Sequence, residues 1–187
     1  MPTCFKKLKL SLSANSALRA DFKKWNYHQV NVDYPSQSTF LRSEVPLEYF
    51  SDQPELMQVI NDNKMDAKVF LLEPGTVYNW HIDAYRYAPL NCMIDGNSDY
   101  LVLFDHTYSA RKFSYFPATR LVYDASRFYM FNAQVTHCAI NYGNTPRYLL
   151  TIASYSQETV NTSGKITYEP FNNLSNYLEE RNLIDHD

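Results

Sequence analysis

From residue 67 onward the apolar positions come in short runs. AKVFLLE (67–73), TVYNWHID (76–83), LNCMI (90–94), YLVLFD (100–105), KFSYF (112–116), RLVYD (120–124), RFYMFN (127–132), VTHCAIN (135–141) and RYLLTIASY (147–155) are β-branched or aromatic stretches divided by Pro, Gly, Asn and Asp. Runs of this length and composition predict strands. Nine of them in succession predict a sandwich or double-sheet barrel of the jelly-roll kind. The first 66 residues have a different texture. SANSALRADFKKW (13–25) has Ser and Asn ahead of apolar positions at helical spacing and predicts a capped helix. LEYFSDQPELMQVINDNK (47–64) predicts a second helix starting near Pro54, since proline is tolerated in a first turn. Beyond the strands, SQETVNTSGK (156–165) reads as a polar loop and NLSNYLEERNLI (173–184) as a terminal helix. No repeat or linker divides the chain. The expectation is one domain of 187 residues: a mixed helical part (1–66), a β core (67–155), then a loop and C-terminal helix (156–187).

Composition sharpens this picture. Aromatic residues make up 16%, with 16 tyrosines and 11 phenylalanines against four glycines. Such a tyrosine content suits sheet faces whose hydroxyls stay near water. A net charge of −3 gives no overall attraction to nucleic acid, and KKLK (6–9) and RADFKK (19–24) read as solvated basic faces. The N-terminus lacks the apolar stretch of a signal peptide and no window approaches a membrane span. The scattered Cys4, Cys92 and Cys138 include no CxxC pair, so a reducing cytoplasm is the expected compartment.

Chemistry enters at TVYNWHID. In a strand, side chains two apart leave the same face, so His81 and Asp83 point together while Trp80 and Ile82 turn away. These bulky partners predict that both faces are covered, where an unpaired carboxylate is costly. A lone HxD carries little information. His137, inside the run VTHCAIN, adds a second imidazole that a facing strand can bring alongside. Two imidazoles and a carboxylate on one side of an ion leave about three positions open, the arrangement suited to non-haem Fe(II) and its oxygen chemistry. Arg147 lies ten residues after His137, across the turn NYGNTP. A guanidinium grips a carboxylate bidentately and is never deprotonated. A dicarboxylate that chelates the iron at one end, as 2-oxoglutarate does, would place its other carboxylate there.

At these residues the chain resembles the Fe(II)/2-oxoglutarate-dependent dioxygenases, nearest the aspartyl/asparaginyl β-hydroxylase and proline hydroxylase branch. KVFLLEPGTVYNWHID is similar to that branch's strand, Pro-Gly turn and HxD strand, and FNAQVTHCAINYGNTPRYLL to its distal-histidine strand, turn and arginine strand. The resemblance covers residues 67–155. It implies a mainly β, double-stranded β-helix (jelly roll, cupin-like) with flanking α-helices. It also implies Fe(II) held by His81, Asp83 and His137, and 2-oxoglutarate as cosubstrate anchored by Arg147. Many relatives carry a serine or threonine two residues after the arginine; Leu149 stands there, leaving Asn91 or a tyrosine hydroxyl as the second donor. The halogenating members lack the carboxylate ligand, so Asp83 favours hydroxylation. The implied reaction hydroxylates an amino-acid side chain, free or in a peptide, with release of succinate and CO2; a nucleobase or another small molecule stays open as substrate.

Two other classes compete. A cupin-like protein that binds metal or ligand without turnover would keep the triad and use Arg147 for an anion. A structural β-sandwich would hold the histidines as satisfied core residues. His106, after Asp105, is an alternative ligand placed by the sequence at a strand end, and His28 and His186 read as surface residues. Arg86, in DAYRYAP, is expected at the barrel mouth, in a surface salt bridge or on an acidic substrate. Cys138 neighbours His137 and should face the opposite way, into the core.

Overall fold

A computed structural model describes residues 3–13, 16–29, 40–83, 86, 88–95, 100–105, 119–154 and 168–186. The strands are β1 (Phe5–Ser11), β2 (His28–Gln29), β3 (Phe40–Val45), β4 (Asp66–Leu72), β5 (Thr76–His81), β6 (Leu90–Asp95), β7 (Tyr100–Asp105), β8 (Thr119–Leu121), β9 (Arg127–Phe131), β10 (Thr136–Asn141) and β11 (Arg147–Ala153). The helices are α1 (Ala17–Asp21), α2 (Pro54–Asp62) and α3 (Glu169–Glu180). Among the described residues, one sheet has the order β1-β9-β6-β11-β4-β3-β2 and the other β5-β10-β7-β8. From β4 to β11 the chain winds between them, with β4, β6, β9 and β11 in the larger sheet and β5, β7, β8 and β10 in the smaller. That winding is the double-stranded β-helix, mainly β with flanking helices, and every pairing in it is antiparallel.

The runs LNCMI and RYLLTIA are buried almost throughout because the larger sheet is covered on both faces. On one face Leu150, Ile152, Val69, Leu90 and Met130 pack under Phe50, Ile60, Phe171 and Leu178 of the helical flanks. On the other, Phe70, Leu72, Met93, Phe131 and Leu149 meet Val102, Leu121 and Ala139 of the smaller sheet. The inward face of β11 therefore carries Leu149, and with it, at even spacing, Arg147 and Thr151.

Several expectations change. The N-terminal part contributes three strands as well as helices. FKKLKLS is β1, which pairs with β9 and buries Leu8 and Leu10. Lys7 and Lys9 alternate with the buried leucines along this edge strand, with Lys7 Nζ 2.9 Å from Asp124. The predicted helix 13–25 is only α1 and a 3-10 turn over Phe22–Lys24. The Ser16 side chain makes no capping bond, and Arg19 instead ties the segment to the sheet through Ile94 O and Ser126 Oγ, both at 2.6 Å. Helix α3 begins four residues before the predicted start, because Pro170 sits in its first turn. Strand β8 stops at Leu121, and Asp124 takes the Tyr129 hydroxyl at 3.0 Å. KFSYF, His106 and the loop 156–165 lie outside the described residues. No helix among the described residues is long and apolar enough to cross a membrane.

Beyond β10, Asn141 fixes the turn that leads to Arg147. It is fully buried, and its Nδ2 donates to Leu72 O (3.0 Å), Glu73 O (3.2 Å) and Thr145 O (3.0 Å). One amide thus joins the β4–β5 turn to the β10–β11 turn. Asn141→Leu removes the donor from three inward carbonyls, and a loss of about 3 kcal/mol is expected in urea unfolding. A loss below about 1 kcal/mol would show that this staple is dispensable.

Candidate metal centre

His81 and His137 are paired residues of neighbouring strands: they face one another in the β5–β10 ladder. The next pair is Tyr78 with Ala139, so Asn79 and Trp80 together oppose Cys138 alone. This β-bulge re-aims the strand. It places Tyr78 and His81 on one face although they are three apart, with ring centres 4.5 Å from each other. The imidazoles of His81 and His137 are 4.3 Å apart, and Phe131 stands edge-on to His137 at 4.7 Å. Aromatic contacts thus hold both rings.

Asp83 reaches the site by a different route from the one its spacing predicts. β5 ends at His81, so the aspartate belongs to no strand. The turn between β9 and β10 holds it instead. Its backbone N–H donates to Ala133 O (3.1 Å), and its carbonyl accepts from Gln134 Nε2 (2.9 Å). The outer side of β5 is not covered: Trp80 is 40% exposed and Val77 52%. The expectation that both faces are buried is corrected here, because β5 is an edge strand of the smaller sheet. Cys138 is buried beside Ile140 on the face opposite His137.

The three side chains converge. One ligand atom from each of His81, Asp83 and His137 lies within 4.8 Å of the others. His137 Nδ1 is 2.8 Å from Val135 O. A carbonyl only accepts, so Nδ1 carries the proton and Nε2 presents its lone pair. Burial, reinforced by the charge of His81, pushes the His137 pKa down to about 3, which keeps the ring neutral as a metal ligand must be. Burial alone would raise the Asp83 pKa, but the Arg86 guanidinium, aided by His81 and His137, holds it well below the carboxylate range. A neutral His137, an ionised Asp83 and the His81 imidazole at this spacing fit a small divalent cation.

Arg147 is the first residue of β11 and only 2% exposed. Its Nη1 donates to Thr145 Oγ1 and to Pro146 O (3.1 Å). The guanidinium lies against Gly143, where an added Cβ would meet Nη2 and force it to shift. Asn91 sits elsewhere. It pairs with Thr151, four residues along β11 from Arg147, accepts from Thr151 Oγ1 (2.8 Å) and donates to Tyr123 Oη (3.3 Å). The Asn91 amide thus meets Thr151 and Tyr123, while the guanidinium meets Thr145 and Pro146 in the turn. The hydroxyl at the guanidinium is Thr145, within NYGNTP, which sequence spacing does not single out. Gln134 was also overlooked, since only the folded turn shows its reach to Asp83. His28 is exposed and His186 pairs with Glu179 at 2.9 Å on the surface.

Because the folded-state pKa of His137 lies below its ordinary value of 6.5, the unfolded chain binds more protons between the two. The stability tied to its neutral form is complete above pH 6.5 and lost as pH falls toward 3. With a chelator present, the melting temperature should decline over that window, and His137→Gln should flatten the decline. An equally steep profile in the variant would remove His137 as its source.

No family model and no curated protein matches the sequence. Solved structures do resemble it. A prolyl-4-hydroxylase from Pseudomonas putida aligns over 82% of this chain and 93% of its own, with a TM-score of 0.57 and 14% identity. HygX from Streptomyces hygroscopicus, solved with nickel, 2-oxoglutarate and hygromycin B, aligns over 83% and 84%, with a TM-score of 0.56 and 11% identity. SnoN, a non-haem α-ketoglutarate-dependent epimerase of nogalamycin biosynthesis, aligns over 87% and 85%, with a TM-score of 0.54 and 9% identity. The chain is thus similar in fold to 2-oxoglutarate-dependent enzymes, along nearly the whole length of each.

Proposed function

We propose that this protein is an Fe(II)- and 2-oxoglutarate-dependent dioxygenase that hydroxylates an amino-acid or peptide side chain. One observation carries the reading: His81, Asp83 and His137, distant in sequence, converge inside a double-stranded β-helix. The fold likeness supports it, and the buried Arg147 ten residues after His137 supplies the expected partner for a second carboxylate. His81, Asp83 and His137 would hold the iron. Arg147, with Thr145 beside it, would hold the far carboxylate of 2-oxoglutarate. Iron(II) with this cosubstrate supplies oxidation of a substrate C–H by dioxygen, giving the alcohol, succinate and CO2. The chain's own task is to orient ligands, exclude water and keep His137 neutral. Because Asp83 fills the carboxylate position, hydroxylation is favoured over halogenation. The partners are a small-molecule or peptide substrate, with no role for nucleic acid or membrane. Cys4, Cys92 and Cys138 are buried thiols, which suits a reducing, cytoplasmic setting.

Aerobic incubation with Fe(II) and 2-oxoglutarate should release succinate, and His137→Ala should abolish it without unfolding the protein. Arg147→Ala should raise the 2-oxoglutarate requirement by about tenfold or more, since a carboxylate loses its charged partner. Metal binding without any succinate, with or without an amino-acid panel, would favour the cupin-like binding protein instead. An unchanged 2-oxoglutarate requirement in Arg147→Ala would mean another anchor.

A further inference from the structure

Arg86 is the charged side chain nearest the triad that the proposed chemistry does not use. Its Nε donates to Asp83 Oδ2 at 2.9 Å, and its Nη2 lies 2.7 Å from the same oxygen. The other carboxylate oxygen, Oδ1, faces His81 Nε2 at 3.5 Å. The guanidinium carbon stands 5.4 Å from the centre of the Phe70 ring, and the side chain is 16% exposed. Far from a surface salt bridge, this pair turns one oxygen to the imidazoles and the other to a fixed cation.

Two consequences follow. With Oδ2 engaged by the guanidinium, Oδ1 is the oxygen left for a cation at the triad. One-oxygen ligation keeps a coordination position open that a two-oxygen grip would fill. The guanidinium also never loses its charge, and Phe70 shields it from water, so it repels a divalent cation with little screening. Asp83 has independent anchors in Ala133 O and Gln134 Nε2, so removing the charge need not release the aspartate.

We propose that Arg86 is a positioning residue for Asp83, which restricts it to ligation through Oδ1 and by its charge holds the site's affinity for divalent metal below what the three ligands alone would give. The inference rests on the reading of the triad as a metal site.

The test is anaerobic Co(II) titration of the full chain against a chromophoric chelator, with the visible cobalt spectrum recorded alongside. Arg86→Gln keeps an amide donor and removes the charge; it should tighten Co(II) binding about tenfold or more and alter the spectrum. Arg86→Lys keeps the charge and should stay within about threefold of the wild type. Should Arg86→Gln fail to fold, Arg86→Met retains an apolar stem against Phe70 and should also bind more tightly. Unchanged or weaker binding in the folded neutral variant, or equal tightening in Arg86→Lys, overturns the proposal while leaving the metal site standing. Absence of Co(II) binding by the wild type overturns the metal reading and this inference with it.

Discussion

The register between β5 and β10 is the constraint on which the site depends. His81 opposes His137 in the ladder, and the bulge at Asn79–Trp80 decides which way β5 turns as it arrives there. Side chains alternate along a strand, so a slip of one residue would send His81 to the open face and bring Trp80 inward. The register is held at its far end by Asn141, whose amide links the two adjoining turns. The same hairpin that places an imidazole at one end therefore sets Arg147 at the other. His137 and Arg147 are placed by one structural device.

The charges also require an explanation that stability does not supply. Two imidazoles with centres 4.3 Å apart, beside a carboxylate and a guanidinium, replace apolar volume in the interior of a small domain. Buried ion pairs often contribute less than well-packed hydrocarbon of equal volume, because desolvation opposes the attraction. A structural β-sandwich would gain by putting leucines here. Depressing the His137 pKa to about 3 means that folding favours the neutral ring, the form that coordinates metal. The cost is intelligible if the site exists to bind something.

Much of this was legible in the sequence. Strand periodicity gave β4 to β7 and β9 to β11, because their apolar runs are short and broken by turn residues. The order His81, Asp83, His137, Arg147 gave the converging set. β1 was obscured because its lysines dominate FKKLKLS, although Leu8 and Leu10 already alternate with them. The helix at 13–25 was overdrawn: local spacing cannot show that Arg19 is drawn to Ile94 and Ser126, far along the chain. The surroundings of Asn91 were hidden for a related reason. Membership of the next strand does not specify register, and its partner is Thr151, not Arg147. Arg86 looked like a surface residue because sequence does not reveal which carboxylate oxygen faces inward.

The polar groups of the site share a position in the architecture. His81 is the last residue of its strand, Asp83 lies beyond it, His137 is the second residue of β10 and Arg147 the first of β11. At strand ends the backbone is freed from the ladder while still carried by it, so side chains can be aimed without loss of rigidity. The remaining interior positions need mainly volume and apolarity, which many sequences satisfy. A fold shared at 14% identity or less is what that division of labour produces. Function then resides in the few groups mounted on the frame, and the frame alone does not choose among hydroxylation, epimerisation and simple binding. Asp83 belongs to those groups: one oxygen is directed at His81 and the other at Arg86, so the frame fixes the orientation of its carboxylate.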